Sequence, residues 1–131
     1  MEYPRVLIDT SIIIEHLRKR DRRKSVLYRI AGDYELCAAT VVEFELYAGA
    51  IDEQKFHDVQ EILERCELLP FTSPVAQVAA RTYLDLKAAN QLIEMRDLFI
   101  AATALAYGLP LMTLNAGHFG RVEQLQLQPL P

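Results

Sequence analysis

A chain of 131 residues, 51% hydrophobic and 24% charged, is long enough to bury a real core and has globular composition without a disordered tract. No apolar stretch reaches the ~20 residues that span a bilayer, and MEYPRVLID, with Glu2 and Asp9 in it, does not read as a signal peptide. The net charge of −4 is uneven: RKRDRRK at 18–24 carries +5 and the remainder −9, as in a protein that gathers cations at one place and meets a polyanion at another.

Strands alternate with helices along the chain. RVLID (5–9) predicts a short buried strand, with Thr10 or Ser11 capping the helix that follows. The basic strip falls at a helix end and turn, where such side chains suit the dipole, so a solvated helix end competes with a polyanion contact. A second helix is expected over Lys24 to Ala31, ending at Gly32. ELCAA (35–39) is the next strand, and Thr40-Val-Val-Glu43 has the capping-box pattern of a helix running towards Gly49. Asp52 can cap a helix to about Arg65, with Ile51, Phe56, Val59, Ile62 and Leu63 on one face. ELLPF (67–71) reads as a third strand. Ser73-Pro74 opens a helix with proline in its first turn, extending to about Ala89. RDLFIAATALAYG (96–108) is a second long helix, stopped by Gly108 and Pro110. PLMT (110–113) then predicts a strand and LQLQPL (125–130) a weak edge strand.

This alternation predicts an α/β fold: one domain over 1–131, with a mostly parallel sheet of four or five strands and helices on both faces. Such folds place their chemistry at the carboxyl ends of the strands, near the switch in strand order. Asp9 falls there. Cys37 and Cys66 lack C-x-x-C spacing, so a reduced, cytoplasmic protein without membrane association is expected.

The other acids sort by position. Glu43 and Glu45 are roughly 200° apart around a helix and cannot face one spot. With Glu43 as the cap partner of Thr40, Glu45 is free, either as an exposed helix glutamate or as a site acid. Asp97 precedes LFIAATALA, a run apolar on every side and hence buried all round. It reads as that helix's N-cap, or as an inward carboxylate whose burial cost a cation shared with Asp9 and Glu45 would remove. Asp85 fits an exposed helix face, and Glu94 is a possible outer ligand. His16, His57 and His118 show no spacing of a helical zinc pair, and His16 and His57 are expected at the surface. Serine and cysteine nucleophile motifs and glycine-rich phosphate loops are absent from the sequence.

In VLIDTSIII (6–14), TVVEFELYAGA (40–50) and RDLFIAATALAYGLPLMTLNAGHF (96–119), in this order and spacing, the chain resembles the PIN-domain ribonucleases of the VapC toxin type. The resemblance runs from Arg5 to about Leu127. It implies a PIN-like three-layer fold, with Asp9, Glu45 and Asp97 as the catalytic acids that bind Mg²⁺ or Mn²⁺. It further implies hydrolysis of RNA phosphodiesters, a homodimer and a cognate antitoxin partner. The chemistry suits these residues: hard cations prefer carboxylate oxygens, and a metal-bound water can attack phosphorus without a protein nucleophile. Thr10, Ser11, Thr113 and Asn115 could hold metal waters or the phosphate. Arg18, Lys19, Arg20, Arg22, Arg23 and Lys24 could contact RNA phosphates or an acidic segment of a partner. One departure stands out. Where the family carries a fourth acid, this chain has Thr113-Leu-Asn115-Ala-Gly-His118-Phe119, so His118 is either a site residue in its place or a surface loop histidine. The rival reading is a non-catalytic PIN-like module that binds RNA or an antitoxin.

Overall fold

Four apolar runs lie side by side as parallel strands in the computed structural model, which describes residues 2–131. β1 (Arg5–Ile8), β2 (Glu35–Ala39), β3 (Glu67–Leu69) and β4 (Leu111–Met112) are ordered β3-β2-β1-β4. All three pairings are parallel. Val6, Leu7 and Ile8 are each fully buried in succession, so both faces of β1 are covered, as an all-parallel sheet requires. The covering helices are α1 (Thr10–Arg18), α2 (Val26–Ile30), α3 (Thr40–Ala48), α4 (Glu53–Glu64), α5 (Ser73–Ala88), α6 (Met95–Tyr107) and the short α7 (Ala116–Phe119). β1 has β2 on one side and β4 on the other, so the chain reverses its direction of winding there. That switch point is at the end of β1 and β4.

Several local details differ from the sequence reading. Neither Thr10 nor Ser11 caps α1. Asp9 does, with extended backbone (φ −89°, ψ 176°) and its carboxylate accepting from the Ser11 N–H. α2 begins later than expected because Asp21 caps a single 3-10 turn over Arg22–Lys24. Buried Ser25 then caps α2 itself, accepting from the Tyr28 N–H. The capping box at Thr40 does not form: Ala39 occupies the N-cap position, with no side-chain bond. Thr40 Oγ1 instead accepts from the Phe71 N–H at 3.3 Å, because β3 runs parallel to β2 and brings its exit beside that hydroxyl. β3 stops at Leu69, before Pro70, which has no N–H for a ladder. Ile51 and Phe56 are exposed, so α4 buries the narrower stripe of Val59 and Leu63.

The C-terminal expectations hold in part. The 125–130 segment makes one bridge, Leu111 to Leu127, rather than a strand. β4 offers two residues to pair with, and Pro129 cannot donate. α6 ends on Gly108 in the left-handed region (φ 67°), where glycine carries no Cβ penalty. Leu98, Ile100, Ala101, Ala102, Thr103 and Ala104 are all buried, as the continuous apolar run predicts. α6 packs along α5 and also meets α3.

Candidate active site

Asp9 leaves β1 just as the strand ends, and Thr113 leaves β4 at the same level, since Ile8 pairs with Met112. Thr113 Oγ1 donates to Asp9 Oδ2 at 2.7 Å. Asp9 Oδ1 accepts from the Ser11 N–H and hydroxyl. Both hydroxyls are held in turn, Thr113 accepting from the Asn115 N–H and Ser11 from the Leu114 N–H. Asp9 is 3% exposed. Burial pushes its carboxyl above the ordinary aspartate value, and the Ser11 and Thr113 hydrogen bonds pull against that shift.

Two further acids face the same space. Glu45 projects from α3, its side chain 13% exposed; Oε1 accepts from Thr10 Oγ1 at 3.0 Å and Oε2 meets Arg96 Nη1 at 3.1 Å. Asp97 lies in the first turn of α6 and is not its cap, since Glu94 holds that position. Asp97 Oδ1 is 4.0 Å from Arg96 Nε, and Oδ2 is 3.4 Å from His118 Nδ1. Asp9, Glu45 and Asp97 line one cavity of ≈ 550 Å³, together with Thr10, Ser11 and Asn115. Thus Thr10, Ser11 and Thr113 spend their hydroxyl protons on the acids, while Asn115 lines the open space.

The basic strip divides. Arg18 and Lys19 reach the cavity wall. Arg22 pairs with Asp58 of α4 at 3.3 Å and Arg23 with Asp21 at 3.1 Å. Arg20 and Lys24 are exposed. His57 is exposed, as expected, but His16 is not a surface residue: its Nδ1 lies 2.6 Å from Ser25 Oγ, partly buried.

Two charged cavity residues escaped the sequence reading. Glu15 lines the wall and accepts from the Val26 N–H at 2.9 Å, which also secures the start of α2. Arg96 stands between Glu45 and Asp97. Its signal was available: a cation in the first turn of a helix opposes the dipole and needs a compensating partner.

The donor chemistry fits a hard divalent cation, with three carboxylates and several hydroxyls and no thiolate. Among the described residues, however, no three acid, histidine or cysteine side chains converge closely enough to hold one ion together. Glu45 pairs instead with Arg96 at 3.1 Å, and Asp97 lies between His118 at 3.4 Å and Arg96 at 4.0 Å.

A parallel three-layer sheet with carboxylates at its switch point defines a class of α/β proteins whose acids act at strand ends. The PIN domain family model matches residues 6–125. A relative from Methanocaldococcus jannaschii, Ribonuclease VapC1, is 31% identical over 97% of this chain and 88% of its own length. Toxin FitB of Neisseria gonorrhoeae is 32% identical, covering 95% of this chain and 97% of its own. Among solved structures, VapBC-1 from nontypeable Haemophilus influenzae superposes with a TM-score of 0.82 at 26% identity, covering 95% of this chain and 96% of that one. The chain belongs to the PIN-domain family, in its VapC-type ribonuclease branch.

Proposed function

We propose that this chain is a Mg²⁺- or Mn²⁺-dependent endoribonuclease, the toxin of a toxin–antitoxin pair, in which Asp9, Glu45 and Asp97 hold the metal and act as the catalytic acids. The observation that carries this reading is the meeting of these three carboxylates, from β1, α3 and α6, around one cavity at the switch point. The ribonuclease and toxin names of the relatives support the activity, and the VapBC assembly supports an antitoxin partner. One domain over 1–131 and a homodimer complete the proposal.

Asp9 serves as a fixed charge, since two hydroxyls and a backbone N–H set its orientation before any ligand arrives. Thr10 does the same for Glu45. When bound, a divalent cation supplies an acidified water as nucleophile and offsets the charge building on the phosphate oxygens. Asn115 offers an amide to a phosphate oxygen from the cavity wall, and Arg18 and Lys19 are placed to hold flanking phosphates. His118, against Asp97 Oδ2, can orient that carboxylate from outside.

The test is cleavage of RNA by the purified chain with and without chelator. Chelation should abolish cleavage, and added Mg²⁺ or Mn²⁺ should restore it. Asp9→Asn, Glu45→Gln and Asp97→Asn each remove a charge while keeping shape, and turnover should fall about a hundredfold or more, ~2.7 kcal/mol in barrier height. Turnover within about threefold of wild type in Asp97→Asn would reject the site. RNA binding without metal-dependent cleavage would favour a non-catalytic module.

A further inference from the structure

Arg96 is placed against electrostatic preference and in the way. It sits on the second residue of α6, where the helix N-terminus repels a cation. Three carboxylates hold it there: Glu45 at 3.1 Å, Glu94 at 3.0 Å and Asp97 at 4.0 Å. Its side chain is 53% exposed, against 13% for Glu45 and 14% for Asp97. The guanidinium is thus the most exposed of the three groups, and ion pairs rather than burial hold it in place. Glu94, 64% exposed, gives it an ion pair outside the cavity.

We propose that Arg96 is a displaceable counter-ion: it occupies the cation position between Glu45 and Asp97 until a divalent ion enters, then withdraws onto Glu94. This rests on the metal-site reading above and goes beyond it. It also accounts for the failure of the acids to converge, since each is turned to a partner other than a shared ion. Metal loading then becomes a competition between two cations, one of them covalently tethered at high local concentration. The tethered one has the weaker charge, and its guanidinium is half exposed, so its pairs cost less to break than wholly buried ones.

Mn²⁺ titration of the full chain, followed by the paramagnetic resonance of free Mn²⁺, tests this on wild type, Arg96→Gln, Arg96→Lys, Lys19→Gln and Asp97→Asn. Arg96→Gln removes the competitor and should bind Mn²⁺ about threefold to tenfold more tightly, since the half-exposed pairs to Glu45 and Asp97 need no longer be broken. Arg96→Lys keeps the charge and should stay close to wild type. Lys19→Gln removes a cavity charge that touches neither acid and should change affinity less than Arg96→Gln. Without metal, Arg96→Gln should melt below wild type, because Glu45 and Asp97 then face each other unscreened, and Mn²⁺ should raise its melting temperature by more. Unchanged or weaker binding in Arg96→Gln overturns the counter-ion role, as does an equal gain in Arg96→Lys or Lys19→Gln. If Asp97→Asn still abolishes binding in those cases, the metal site survives the loss of this inference. Absence of Mn²⁺ binding in both wild type and Arg96→Gln overturns the two together.

Discussion

Arg22 and Arg23 look equivalent to Arg18 and Lys19 in the sequence, yet their charges are directed differently. Arg22 and Arg23 are paired with Asp58 and Asp21 away from the cavity. Arg18 and Lys19 reach the cavity wall, and Lys19 is held there by Glu15 at 3.4 Å. A strip of six basic residues is thus cut by the turn at Asp21, which points its two halves apart. The RNA role should follow the first half. Replacing Arg18 and Lys19 together by Ala should flatten the salt dependence of RNA binding by about 1.4 in log–log slope, near 0.7 for each phosphate left without its cation. Replacing Arg22 and Arg23 should change the slope by less than half of that. Fluorescence anisotropy with a short RNA over a range of salt measures both. An unchanged slope in the Arg18, Lys19 variant, with weakened binding to a partner protein, would reassign that half of the strip to the partner.

α2 has five residues, too few to stand without tertiary support, and its start depends on groups from α1. Ser25 Oγ accepts from the Tyr28 N–H at 3.0 Å and shares a 2.6 Å hydrogen bond with His16 Nδ1. Burial lowers the His16 pKa from its ordinary 6.5, and nearby Arg22 adds to the effect while Glu15 opposes it. The folded state therefore binds fewer protons at His16 than the unfolded chain does. Its contribution to stability is complete above 6.5 and is lost as pH falls below that value through the lowered folded pKa. Denaturant midpoints should drop between about pH 7.5 and about pH 5.5. His16→Gln offers Ser25 a non-titrating hydrogen-bond partner and should show a smaller drop. Equal drops in the two proteins would show that the acid sensitivity lies in other groups.

The molecule leaves an apolar groove between α5 and α6. Leu84 is 62% exposed, Met95 52% and Phe71 40%, and Ala76, Ala80 and Phe99 join them in lining it. Contiguous exposed apolar surface of this kind mostly marks an interface, and a second copy of the chain is the occupant that the proposed homodimer supplies. Leu84→Lys puts a charge on the groove's lining at an exposed position outside the core. It should weaken self-association at least about tenfold, a loss of ~1.4 kcal/mol, and leave the thermal melt of the monomer unchanged. Sedimentation equilibrium on wild type and variant reads this directly. A wild type that remains monomeric, or a variant that dimerises as well, would remove the groove from the assembly.

The strands and long helices were legible because their signals are local. A continuous apolar run such as Val6-Leu7-Ile8, or the unbroken LFIAATALA, needs both faces covered whatever lies elsewhere in the chain. The placement of Asp9 at a strand end followed from the same local pattern, as did the stop at Gly108. Cap assignments failed where a distant segment competed for the same group. Thr40 was free to bond its own helix until β3 presented the Phe71 N–H; the cap of α1 is a local exception, where the adjacent Asp9 took the role from Thr10 and Ser11. The hydroxyl of Thr113 reaches Asp9 across 104 residues of sequence, and Arg96 joins α6 to Glu45 on α3. Both contacts depend on parallel pairing and helix packing between segments that no local window contains, so the order of residues could flag Arg96 as a cation at the wrong end of a helix but could give neither its partners nor the orientation of the acids.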